Sequence, residues 1–302
     1  MLQIKERFRA CILGGAIGDA MGSIAENAHL VRKPVITYYN TSPAPPANWY
    51  FTDDTQLTSA TCEALSDPAG YSTHILSRHL ARYYQQRKIT NAGATTLKAL
   101  KELNAGIDWQ ATGSTGEYAA GNGAAMRIAP LAFSKNISRT AIAEACYITH
   151  RNSEAYAGSL CVVLAIRSIL ENTWTGENDL FNIIIPQLPD TRLRDRMLAI
   201  SDHTTIETAA RLGTSGYVVD SVPFTVLAAS QVMKTGMEKM YEQVIAAGGD
   251  TDTNASIAGQ IAGALLGPDQ LPVSLMNKLK DIPDYKRLET IIHNAAMIIN
   301  DY

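Results

Sequence analysis

Apolar residues along this chain return every three or four positions, the period of a helix with one buried face, and almost nowhere alternate as a half-buried strand requires. Ile4, Phe8, Cys11, Ile12 and Ala16 keep this spacing, as do Leu57, Thr61, Ala64 and Leu65. Residues 73–87, 95–104, 138–150, 153–171, 190–200, 206–212, 222–235, 237–246, 253–266 and 288–299 behave alike. The best strand candidate, Asn182-Ile183-Ile184-Ile185 ahead of Pro186, is short and isolated, and it fits a helix end equally well. The expected fold class is therefore all-α. No proline/serine linker or charge block divides the chain, so a compact multi-helical single domain over residues 1–302 is expected.

The function classes that composition excludes follow quickly. With 46% hydrophobic and 18% charged residues the chain can bury a large core. Lysine and arginine number 26 against 29 acids, without a basic cluster, so no nucleic-acid partner is expected. The longest apolar runs, 157–166 and 222–233, fall short of the roughly 20 residues a bilayer core demands. A charged N-terminus replaces the apolar region of a signal peptide, and the expectation is a cytoplasmic protein with no membrane association, acting as a monomer. Cys11, Cys62, Cys146 and Cys161 sit singly within apolar helical patterns and read as buried free thiols.

Two connectors are unusual. Residues 40–50, with Pro43, Pro45 and Pro46, form an extended loop leading into Thr52-Asp53-Asp54-Thr55. Residues 106–123 hold Gly106, Gly113, Gly116, Gly121 and Gly123, too many for a helix interior and suited to a loop whose backbone approaches a ligand.

Three clusters carry the chemistry. Gly14-Gly15-Ala16-Ile17-Gly18-Asp19-Ala20-Met21-Gly22-Ser23 is followed by Glu26; the second is Thr52-Asp53-Asp54-Thr55; the third is Gly248-Gly249-Asp250-Thr251-Asp252-Thr253. Carboxylates interleaved with hydroxyls offer hard oxygen ligands and neither nitrogen nor sulfur, the donor set of Mg²⁺ or Mn²⁺ rather than zinc. Such acids repel one another unless a cation lies between them. Each cluster is also expected to open a helix, where the dipole favours negative charge, and any one of them alone reads as a simple helix cap. Three together weigh toward a shared site. Gly248-Gly249 removes bulk beside the acids, and Ala255, Ala258, Gly259, Ala262, Gly263 and Ala264 permit close helix contact around it. Gly14, Gly18 and Gly22, four apart, give a helix a bare stripe for another backbone. A nucleotide-binding fingerprint is excluded, because no strand precedes these glycines and the Gly-Lys-Ser/Thr ending is missing.

Taken in order, Gly-Asp-Ala-Met-Gly-Ser with Glu26, Phe51-Thr52-Asp53-Asp54-Thr55, Gly121-Asn122-Gly123-Ala124-Ala125-Met126-Arg127 with Pro130, Thr149-His150, Ser215-Gly216-Tyr217-Val218-Val219 and Gly248 to Thr253 resemble the ADP-ribosylglycohydrolase family. The resemblance spans roughly residues 8 to 267. It implies a compact all-α domain with a central binuclear site for two Mg²⁺ or Mn²⁺ ions, removing ADP-ribose from modified protein side chains. Carried over by position, Thr52, Asp53, Asp54 and Asp252 would hold one metal, and Glu26, Asp250, Asp252 and Thr253 the other, with Asp252 bridging. Gly121, Asn122 and Gly123 match the loop along the ADP-ribose, whose backbone amides can meet the diphosphate. His150 matches a histidine near the same ligand, or caps a helix C-terminus. Tyr217 matches a segment that packs against adenine, or is a core tyrosine. Glu26 is the first choice for proton handling, with Asp53 or Asp250 second.

The reaction so implied is hydrolysis of the N-glycosidic bond from ribose to an arginine guanidinium. Cleavage of another ADP-ribosyl linkage, to serine, nucleic acid or O-acetyl-ADP-ribose, stays open, as does a non-catalytic binding or structural role. Residues 151–156 and the loop 29–50 depart from the family pattern, which leaves the rim that meets the leaving group unspecified.

Overall fold

The computed structural model describes residues 2–32, 48–177, 179–200 and 205–299. In chain order its helices are α1 (Ile4–Arg32), α2 (Asp53–Leu65), α3 (Thr73–Gln85), α4 (Ala94–Asn104), α5 (Arg139–Tyr147), α6 (Ser153–Leu170), α7 (Leu180–Ile184), α8 (Arg192–Ala199), α9 (Ile206–Ala210), α10 (Val218–Ser230), α11 (Val232–Thr235), α12 (Met237–Ala246), α13 (Thr251–Leu266), α14 (Val273–Lys280) and α15 (Tyr285–Ile298). They form a single all-α domain with almost no sheet, as the periodicity requires. Two strands of two residues each, β1 (Ser114–Thr115) and β2 (His150–Arg151), pair in parallel. The isoleucine run resolves as helix: Asn182–Ile184 close α7, and Ile185 opens a 3₁₀ turn containing Pro186.

The centre of the molecule is the contact between α1 and α13, which run antiparallel with small residues facing each other every fourth position. A Cβ placed on Gly14 would lie 2.3 Å from the Gly259 carbonyl oxygen, on Gly18 2.1 Å from that of Ala255, and on Gly22 2.4 Å from that of Thr251. From the other side, a Cβ on Gly263 would lie 2.1 Å from the Ala10 oxygen. Backbone rests on backbone along four rungs, an approach that leaves no room for a side chain at the glycine of each rung. The Tyr241 hydroxyl, donating to the Gly14 carbonyl at 2.7 Å, and Thr251 Oγ1, donating to that of Gly22 at 2.8 Å, cross-link the pair. This ladder sets the register that brings the end of α1 to the start of α13.

Around this pair pack α2, α6, α10 and α15. The continuous apolar run understates α6: Ser153–Leu170 is long and apolar enough to cross a membrane, and 78% of it is buried inside the fold, so it is a core helix. All four cysteines are buried and free, as expected. One expectation needs correction. The first glycine-acid cluster does not open a helix, because α1 runs unbroken from Ile4 and places Asp19 mid-helix, fully buried. Of the proline-rich loop, residues 40–47 lie outside the described residues.

Candidate functional site

The second and third clusters do open helices. Thr52 is the N-cap of α2, its hydroxyl accepting from the Asp54 amide, and Asp53 and Asp54 occupy the first turn. Asp250 is the N-cap of α13, with Asp252 and Thr253 in its first turn. Gly248 and Gly249 enter it with φ of 72° and 80°, a left-handed backbone that glycine adopts without strain. A Cβ on Gly249 would strike the Thr214 carbonyl oxygen at 2.2 Å, the same oxygen that accepts from the Asp250 amide at 2.9 Å and from Asn254 Nδ2 at 2.8 Å.

Asp19 locks the α2 turn to α1. Its carboxylate accepts from the amide and hydroxyl of Thr52 at 3.0 and 2.6 Å, and from those of Thr55 at 3.1 and 2.5 Å. Thr253 Oγ1 donates to Asp54 Oδ2 at 3.1 Å and joins α13 to α2. Glu26 lies one turn past the last rung of the ladder. Oxygens of Glu26, Asp250 and Asp252 fall within 4.8 Å of one another, and so do oxygens of Asp19, Asp54 and Asp252. Asp252 belongs to both groups.

The electrostatics of this cluster are those of acids without counter-ions. Burial, and then the charge of Asp19, push Asp53 and Asp54 well above the ordinary carboxylate range. Asp252 is raised by burial and then by Asp54 and Asp250, and Glu26 by burial and then Asp250. Among the described residues no lysine, arginine or histidine forms a salt bridge with any of them. Asp54 Oδ1 is buried with no hydrogen-bond partner. An unpartnered oxygen inside a crowd of buried carboxylates is the donor set of a hard cation, so these residues fit divalent metal.

The acids open on a cavity of about 650 Å³. Glu26, Asp53, Asp250, Asp252 and Thr253 form one wall; Gly121, Asn122, Gly123, Met126, His150, Ser215 and Gly216 face them. Asn122 Nδ2 donates to Asp250 Oδ2 at 2.8 Å, so the glycine loop touches the acid wall directly. His150 is 2% exposed; burial, and then the charge of Arg127, push its imidazole down to about 3, and it is neutral.

The ADP-ribosylglycohydrolase family profile matches residues 2–301 of this chain. The chain belongs to that family. A protein of Archaeoglobus fulgidus without an assigned function is 27% identical, over 98% of this chain and 99% of its own. Human ADP-ribosylhydrolase ARH3 is 24% identical over 96% and 93% of the two chains. The ADP-ribosylarginine hydrolase Tri1 of Pseudomonas putida is 25% identical over 92% and 75%. A solved structure titled ADP-ribosylglycohydrolase-related protein complex superposes with a TM-score of 0.70 at 22% identity, covering 99% of both chains, and shares the fold.

Within this member of the family the residues singled out from the sequence fall into three sets. Glu26, Asp53, Asp54, Asp250, Asp252, Thr52 and Thr253 converge at the acid wall, though the Thr52 hydroxyl is engaged by Asp19 and Asp53 joins neither oxygen group. Gly121, Asn122, Gly123 and His150 line the cavity. His150 belongs to β2; the C-cap of α5 is Ile148, and the His150 ring meets the Thr149 hydroxyl instead. Tyr217 stands apart: its backbone bridges Gly121, but it does not line the cavity. Two features carry no role in the sequence reading. Asp19 stands in the first acid cluster, but nothing in the sequence marks it as the acid that fastens α2 to α1. The start of α4, with Gly93, Thr95 and Thr96 on the cavity wall, has no distinguishing composition.

Proposed function

We propose that this ADP-ribosylglycohydrolase is a divalent-cation-dependent hydrolase of the N-glycosidic bond between ADP-ribose and arginine. The observation that carries the reading is the pair of oxygen groups sharing Asp252, with Asp54 Oδ1 unpartnered beside them, at the wall of a cavity large enough for a nucleotide sugar. Asp54, Asp252 and Thr52 would hold one ion, with Asp53 beside them, and Glu26, Asp250, Asp252 and Thr253 the other. Mg²⁺ or Mn²⁺ there supplies Lewis acidity and lowers the pKa of water and hydroxyl oxygens. Glu26, half-buried and lining the cavity, is the group placed to take a proton at its carboxylate from the attacking water. The remaining carboxylates favour the positive charge that develops on the sugar ring as the glycosidic bond breaks. Bare backbone at Gly121 and Gly123 lets the chain lie close along the diphosphate, and Asn122 fixes Asp250 against that loop.

The arginine linkage is favoured by the likeness to Tri1, named as an ADP-ribosylarginine hydrolase, over most of this chain. A different linkage on the same metals is the second reading, since ARH3 relatives, named only as ADP-ribosylhydrolases, match over 96% of this chain against 92% for Tri1. The test is ADP-ribose release from an arginine-modified protein and a serine-modified peptide, each with Mg²⁺, with Mn²⁺ and after chelation. Cation-dependent release from arginine alone supports the proposal. Release from serine alone replaces it with the second reading, and release that survives chelation removes the metal assignment.

A further inference from the structure

Arg127 ends the glycine-rich motif, yet it is fully buried and does not line the cavity. A fully buried guanidinium without a salt bridge among the described residues is costly, so its two hydrogen bonds ask for a reason. One Nη2 contact goes to the Ala145 carbonyl oxygen at 3.1 Å, and the other to Thr149 Oγ1 at 2.9 Å. Thr149, itself fully buried, touches the next ring: His150 Nδ1 is 2.8 Å from the same Oγ1. These three side chains form a line from the core to the cavity, where His150 is part of the wall.

The line has a direction. A guanidinium only donates, so Thr149 Oγ1 spends one lone pair on Arg127. The hydroxyl proton then has two acceptors, His150 Nδ1 at 2.8 Å and the Cys146 carbonyl oxygen at 3.4 Å. The second is at the limit of a hydrogen bond, and that carbonyl already accepts the Thr149 amide at 3.1 Å. By distance Nδ1 is the better acceptor of that proton, and a proton donated there would leave the single imidazole proton on Nε2. Nε2 has no partner among the described residues, and its edge lies over the glycine loop: a Cβ on Gly121 would fall 3.1 Å from it, and one on Gly123 3.0 Å from the adjoining Cε1. The His150 carbonyl is fixed independently by the Cys146 thiol, which donates to it at 3.3 Å.

We propose that Arg127 and Thr149 are positioning residues that hold His150 as a neutral Nε2–H donor aimed into the cavity, so that the ring offers one hydrogen bond to an acceptor oxygen of the ligand and never competes for its proton. The buried arginine charge also opposes imidazolium formation, which keeps the ring in that single form. That the acceptor belongs to the diphosphate of ADP-ribose rests on the functional reading above; the tautomer does not.

The experiment is long-range ¹H–¹⁵N correlation of the histidine rings in the full chain without ligand, with calorimetric titration of ADP-ribose alongside. The expected result is protonated Nε2 and unprotonated Nδ1 for His150. Thr149→Val, which keeps the shape and deletes the hydroxyl, should mix the two tautomers and weaken ADP-ribose about tenfold, the worth of one hydrogen bond to a charged acceptor. Thr149→Ser restores the hydroxyl and should restore both readouts, a rescue that loss of packing alone would not produce. Protonated Nδ1 in the unsubstituted protein, or a tautomer unmoved by Thr149→Val in a folded variant, overturns the proposal. Failure of ADP-ribose to bind while Nε2 carries the proton would count against the proposed function and leave the relay in place.

Discussion

The two ends of α2 gather acids in opposite ways. At its C-terminal end Glu63 meets the Arg82 guanidinium, Arg287 at 3.2 Å and His79 at 3.4 Å, while His79 also reaches Asp67 at 3.1 Å. Burial there raises the carboxyl, but the hydrogen bond from His79 and the charges of Arg82 and Arg287 outweigh it and hold Glu63 down at about 2. At the N-terminal end Asp53 and Asp54 have other acids and the Thr253 hydroxyl beside them and no basic partner among the described residues, and both are pushed up. One helix thus carries a cluster that supplies its own cations and fastens α2 to α3 and α15, and another that supplies none. Crowding of carboxylates is not in itself a sign of a metal site; crowding without a basic partner is.

The sharpest way to break this contrast is Asp252→Ala, which removes the carboxylate common to both oxygen groups. Hydrolysis should fall by about three orders of magnitude, the scale of several kcal/mol of Lewis-acid stabilisation, and calorimetry should find Mg²⁺ binding lost. Undiminished turnover would show that the uncompensated acids need no cation. Next comes Asp19→Asn, which forces an amide against four donors that all seek an acceptor. Mg²⁺ affinity should drop about 10–100-fold, as for other residues that orient ligands from behind, and unchanged affinity would reduce Asp19 to a packing role.

Thermal unfolding against pH sharpens the comparison further. In chelator the protein should lose stability as pH rises from about 5 to 8, because site acids with raised folded pKa values are most stabilising below their unfolded values near ~4 and lose that contribution as pH climbs through the folded ones. Saturating Mg²⁺ should flatten the slope. His150 acts oppositely: its folded value of about 3 lies below the unfolded one, so its contribution is present above about 6.5 and is lost as pH falls. The smallest effects separate the two ends directly. Asp54→Asn should raise the melting temperature of cation-free protein at pH 8, whereas Glu63→Gln should cost about 1–2 kcal/mol with or without cation, the pairing discounted for partial solvent screening. Equal responses would erase the distinction.

The all-α fold, the acid wall and the bare stripe on α1 were legible because each rests on local chemistry: a period, a donor type, a missing side chain. What escaped depends on partners far along the chain. Asp19 reads as one more acid until Thr52 and Thr55 are seen folded over it. Tyr217 has the composition of an adenine platform, but it does not line the cavity, and only its backbone reaches the glycine loop, at Gly121. The β1–β2 pair is too short for any alternation to register, yet it places His150 on the cavity wall. At the start of α4, threonine and glycine contribute by position alone.

The ladder between α1 and α13 also has a history in time. Glu26 and Asp252 leave the ribosome more than two hundred residues apart, an interval of roughly 10 to 45 s at about 5–20 residues per second. Throughout it α1 can offer its glycine stripe to no α13, and Asp53 and Asp54 have neither Asp250 nor Asp252 beside them. The site comes into being only when late-made backbone settles onto early-made backbone, rung by rung, and forces the carboxylates together. A divalent cation bound as proposed would meet the gathered charge only then, which would tie loading of the site to completion of the fold.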